Sequence, residues 1–115
     1  MIVKFSNVDE FIGELREEKN HVDRSIVRVT QRSSYKESPS ILNLSIIATC
    51  IIKNQIVIFE HFCGQIFSTS NDSISQKVRD QAREISEEVE TKVKELGLFV
   101  RIGIIEEGDK DEDGT

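Results

Sequence analysis

The chain is poor in punctuation: its 115 residues include one proline and six glycines. So few turn residues imply few, long, regular elements. Tryptophan is absent, and the only cysteines are Cys50 and Cys63. Two thiols inside apolar runs exclude a dense disulfide scaffold and point to a reducing compartment, the cytoplasm. Long apolar runs are also lacking. Ser45 and Thr49 interrupt the most hydrophobic segment and Lys53 ends it, well short of the ~18 apolar residues of a membrane span. No membrane association is expected. Met1-Ile2-Val3-Lys4-Phe5 lacks the basic start and apolar core of a secretion signal, so none is expected.

Positive charge is in deficit, 15 lysines and arginines against 21 acids, a net charge of -6. Such a chain is repelled by phosphate backbones at long range, which makes nucleic acid the less favoured partner unless a local basic patch intervenes. Length and an ordinary 37% hydrophobic content suit one domain with one core.

Hydrophobic periodicity then divides the chain. Val8, Phe11, Ile12 and Leu15 recur at helical spacing, with Ser6 or Asn7 available as a cap, and predict a short helix over 8–19. From Val22 to Ser33 the period changes to two, with Arg24, Ile26, Arg28, Thr30 and Arg32 on one face and Ser25, Val27 and Val29 on the other. Ser33 to Ser40, containing Pro39, reads as a loop. Ile41 to Lys53 is the clearest strand: Leu42, Leu44, Ile46, Ala48, Cys50 and Ile52 share one face. Asn54 marks a turn, and Gln55 to Phe67 returns as a third strand. A tight hairpin then puts Val57, Phe59, His61 and Cys63 on that same face.

Ile74, Val78, Ala82, Ile85, Val89, Val93 and Leu96 form an unbroken stripe and predict a long second helix, opened by Asp72 or a Ser73–Gln76 capping box and stopped by Gly97. Leu98 to Ile105 alternates as a last strand. The expected architecture is therefore α+β, an αβββαβ two-layer sandwich on a mainly antiparallel four-stranded sheet. One domain covers 1–105, and the acidic stretch 106–115 reads as a disordered tail.

Candidate chemistry is thin. Glu60, His61 and Cys63 lie close in sequence, but on a strand Glu60 points away from the other two. A catalytic set is therefore not expected. No C-x-x-C, H-x-x-x-H, calcium loop or glycine-rich phosphate loop occurs, so neither a metal site nor a cofactor is expected. The element order resembles the core connectivity of restriction-endonuclease-like nucleases. That resemblance implies an acid on the second strand and an acid-x-lysine on the third. Here the second strand has no acid, and Phe62 stands where the lysine of Glu60-His61-Phe62 would be. The αβββα order is also similar to double-stranded-RNA-binding domains, whose basic helix start has counterparts in Lys77, Arg79 and Arg83. Acidic Glu84, Glu87, Glu88 and Glu90 follow.

The second face of the predicted sheet is more informative. If the helices cover the first, the other still carries Ile47, Ile51, Ile56, Ile58 and Phe62, with Ile26 as a neighbour. That patch is larger than monomers usually expose. Either the first helix lies on it or another chain does. Arg24, Arg28 and Arg32 would align beside it as a charged rim for a partner or an anion. Glu60 should meet Arg28 on that outer face. The expectation is a non-catalytic association module with a regulatory or adaptor role, a homodimer through this face or an edge strand, with a further protein partner possible. The alternative is a nucleic-acid-binding or nucleic-acid-processing protein of degenerate endonuclease-like architecture.

Overall fold

A computed structural model describes residues 2–35, 41–67 and 73–108. It is an α+β chain with five strands rather than four. In order they are β1 (Ile2–Phe5), α1 (Val8–Glu18), β2 (Ile26–Tyr35), β3 (Ile41–Ile52), β4 (Gln55–Phe67), α2 (Ser73–Glu95) and β5 (Phe99–Gly108). The expected capping at Asn7 is present: its side chain accepts a 3.0 Å hydrogen bond from the Glu10 amide. Gln76 donates to Asp80 Oδ1 at 2.9 Å; the side chain of Ser73, its expected capping-box partner, lies outside the described residues. The alternative cap, Asp72, lies outside the described residues.

The strand order is β1-β4-β3-β2-β5. β2 pairs antiparallel with β3, and β3 with β4, whereas β1 pairs parallel with β4 and β5 parallel with β2. The sheet is therefore mixed, not mainly antiparallel. Only β3 runs against the other four. The chain crosses from β1 through α1 to β2, and from β4 through α2 to β5, and each crossover moves three places in the same direction along the sheet. Crossovers between parallel strands are right-handed almost without exception. Two crossovers of the same hand and direction put both helices on one face.

The packing agrees. Phe11, Ile12 and Leu15 of α1 and Ala82, Val89 and Val93 of α2 are buried in one cluster with Val27, Val29, Leu44, Ile46, Ala48, Cys50, Val57 and Phe59. Phe11 sits between Phe5 and Phe59, with ring centroids 6.2 and 5.8 Å away. Lys92 ties the helices together, donating to Asp9 at 3.1 Å and Glu88 at 2.8 Å.

The β3–β4 hairpin closes through Lys53 and Asn54, both left-handed at φ 52° and 65°. That turn matches the strand twist and fixes Ile52 opposite Gln55. Near the other end the register slips: Leu44 faces Gly64 but Ser45 faces Phe62, leaving Cys63 as the extra residue of a bulge. The bulge reverses the parity of β4, so Ile66 rather than Gln65 is buried against the helix layer. Gly64, at φ +142°, lies where a Cβ would come within 3.0 Å of Val78 Cγ2. A glycine lets α2 close onto the bulge.

Three strand boundaries also moved. β2 starts at Ile26 because Asp23–Ser25 forms a tight turn with Arg24 and Ser25 left-handed, at φ 56° and 58°. It runs on to Tyr35, so Ser33 and Ser34 are buried strand residues rather than loop. β5 continues to Gly108, three residues past the expected strand end at Ile105. The rest of the expected tail lies outside the described residues.

Candidate functional site: the uncovered sheet face

Strand pairing fixes which side chains share the face opposite the helices. β3 gives Ile47, Thr49 and Ile51, and their partners on β4 are Glu60, Ile58 and Ile56. Phe62 faces Ser45 on the same side. β2 gives Arg28, Thr30 and Arg32, and β1 brings Lys4 beside Ile58. Among the described residues no helix lies over them, because α1 joins α2 on the other side. The first of the two expected ways of covering this face is thereby removed.

All six residues expected to form an interface are on this face, and none is buried. Ile51 is 44% exposed, Ile56 43% and Phe62 57%. Ile26, Ile47 and Ile58 are partly exposed. On the same strands the alternating residues Ile46, Ala48 and Phe59 are fully buried.

The arginine rim is arranged differently from the expected row. Arg28 and Arg32 lie on β2, but Arg24 sits in the left-handed turn before it. A cleft of about 330 Å³ gathers Arg24 and Arg28 with Arg101 of β5, over Ile26, Ile51 and Ile56. Arg32 does not line it. Arg101 was missed because its place depends on β5 pairing parallel with β2, which puts it directly opposite Arg28. Sequence alternation shows only that Arg101 faces away from Val100 and Ile102.

Glu60 does not meet Arg28. It pairs with Lys4 at 2.9 Å, across the β1–β4 junction that the sequence reading lacked. His61 pairs in register with Ile46, on the helix side. The Cys63 thiol donates to the His61 carbonyl oxygen at 3.9 Å, a backbone contact that engages no imidazole nitrogen. Burial raises the Cys63 thiol above its ordinary value, and a hydrogen bond with the Ile46 backbone partly offsets it. Burial pushes the Cys50 thiol up to about 12, with the Glu14 carboxylate adding to it. Both thiols are free and are held in the protonated, weakly nucleophilic form.

Glu60 thus points to the open side of the sheet, while His61 and Cys63 lie on the helix side. No group of three or more histidine, cysteine or acidic residues that could hold a metal occurs among the described residues. No described helix is long and apolar enough to cross a membrane. What the face offers is apolar area and cationic charge rather than reactive groups. The chain matches no family model, no curated protein and no solved structure.

Proposed function

We propose that this chain is a non-catalytic association module that pairs with a second copy of itself through the uncovered sheet face, in a regulatory or adaptor role. The observation that carries this reading is the exposure of Ile51, Ile56 and Phe62 on a face with no described helix over it. The dimensions suit a dimer. Five strands span four gaps of ~4.8 Å, and the long strands rise ~3.3 Å per residue, so the face offers on the order of 600–800 Å². A standard stable interface takes ~800 Å² from each partner. The two ends of the face are also unlike. The β2–β5 end is cationic, whereas the β1–β4 end carries the neutral Lys4–Glu60 pair. A two-fold axis near Ile47 and Ile58 would set each cationic end toward the other copy's neutral end and keep the arginine clusters apart. The unpaired, protonated thiols favour a reducing compartment, so we assign the protein to the cytoplasm.

Light scattering on the purified chain at micromolar concentration tests this. A mass of two chains is expected, with Ile58→Asp or Ile47→Asp giving folded monomers, or unfolded chains if the dimer is obligatory. A monomeric wild type would remove the reading.

A further inference from the structure

The arginine cleft at the β2–β5 end has features that self-association does not require. Three guanidinium groups, from Arg24, Arg28 and Arg101, surround it with one carboxylate, Asp23. This local cationic excess occurs in a chain of net charge -6. Outside the cleft the described ion pairs are close, at 2.7–3.2 Å: Lys4 with Glu60, Lys53 with Glu18, Arg83 with Asp80, Lys92 with Asp9 and Glu88, Lys94 with Glu90. In the cleft the only described ion pair is Arg24–Asp23, loose at 3.9 Å between two exposed side chains. Arg28 and Arg101 are direct register partners on adjacent strands and make no described ion pair. Like charges opposite each other in a sheet repel, and that arrangement is relieved when an anion sits between them.

We propose that the cleft binds a small organic anion, a carboxylate or phosphate ester with a compact apolar body. Planar guanidinium forks suit two-oxygen recognition of such groups. Ile26, Ile51 and Ile56 line the rest of the cleft and supply an apolar bed for the ligand's body. The volume of about 330 Å³ falls at the small end of ligand sites. It favours a small molecule over a nucleic acid, whose binding depends on basic residues tracking many phosphates. The cleft's charge and volume belong to one chain, but its floor of Ile26, Ile51 and Ile56 is shared with the proposed dimer face, so an anion and a second copy compete for it.

Calorimetric titration separates the contributions, using phenyl phosphate and 4-phenylbutyrate as amphipathic anions, inorganic phosphate as charge alone, benzyl alcohol as apolar body alone, and a single-stranded oligonucleotide as polymer. Light scattering on the same samples records assembly independently. Saturable binding of at least one amphipathic anion is expected, with inorganic phosphate about tenfold weaker or more and benzyl alcohol not saturating. Arg28→Gln and Arg101→Gln should each weaken the amphipathic anion about tenfold. Both positions are exposed, and each substitution removes a like-charge contact, so circular dichroism should be unchanged. Ile56→Ser should weaken the amphipathic anions while leaving inorganic phosphate unaffected. No saturable binding of either amphipathic anion, wild-type binding by Arg101→Gln, or tighter binding of the oligonucleotide than of the small anions would each overturn the proposal.

Discussion

The two faces of the central hairpin are built from the same strands and the same residue types, yet they have opposite fates. On one, Ile46, Ala48 and Phe59 are fully buried under α1 and α2; on the other, Ile51, Ile56 and Phe62 are between 43% and 57% exposed. Hydrophobicity alone does not distinguish them. The difference lies in chain path: two crossovers of the same direction place both helices on one side. A sheet that is apolar on both faces but covered on one makes two layers, which a second copy would complete to four, and burial of the second face requires something beyond the described residues.

Removing an aromatic ring from each face should break the comparison most visibly. Phe59→Ala, from a fully buried site against Phe11, should cost about 3–5 kcal/mol in urea unfolding. Phe62→Ala, measured at a dilution where chains are separate, should cost less than about 1 kcal/mol. Equal losses would mean that Phe62 is already covered within one chain.

Much of this contrast was legible from residue order. The parity of β3, the hairpin turn at Asn54, and the α2 stripe through Ala82, Val89 and Val93 follow from periods of two and 3.6 residues. Three features were not. β1 has four residues, too few for a periodic signal, and it is fixed by pairing with β4. The bulge at Cys63 reverses parity without any change in the local hydrophobic pattern before it. β5 alternates as expected, but its position beside β2 is a matter of topology, and with it went the Arg28–Arg101 pairing. Glu60 was assigned the wrong partner for the same reason, since Lys4 enters only with β1. Ile102 and Ile104 alternate toward the helix side yet are 54% and 74% exposed, because they lie beyond the strip that the helices cover.

The buried face should also reveal itself through pH. The Cys50 thiol ionises near 9.0 when solvated but near 12 when folded. Its contribution to stability is therefore complete below pH 9 and falls as pH rises toward 12. By pH 10 about 1.4 kcal/mol should be lost through this group. Urea melts at pH 8 and pH 10 should show that loss in the wild type and a flatter response in Cys50→Ala. An identical response in both would place the thiol in contact with water.

On the open face the Lys4–Glu60 pair should have the smallest effect. Its side chains are 63% and 32% exposed, so Glu60→Gln should cost less than about 1 kcal/mol, and less again in high salt. A loss that persists at high salt would show that the pair is shielded from solvent.

The account's central claim, that a second copy covers the open face, is tested most directly by a single fluorescent reporter. The chain has no tryptophan, so Phe62→Trp places one indole on the exposed patch, next to the bulge. Its emission should be blue-shifted and poorly quenched by iodide at high protein concentration. On dilution it should move to the red, along the same curve as the mass measured by light scattering. A red, freely quenched emission that does not change with concentration would contradict the claim.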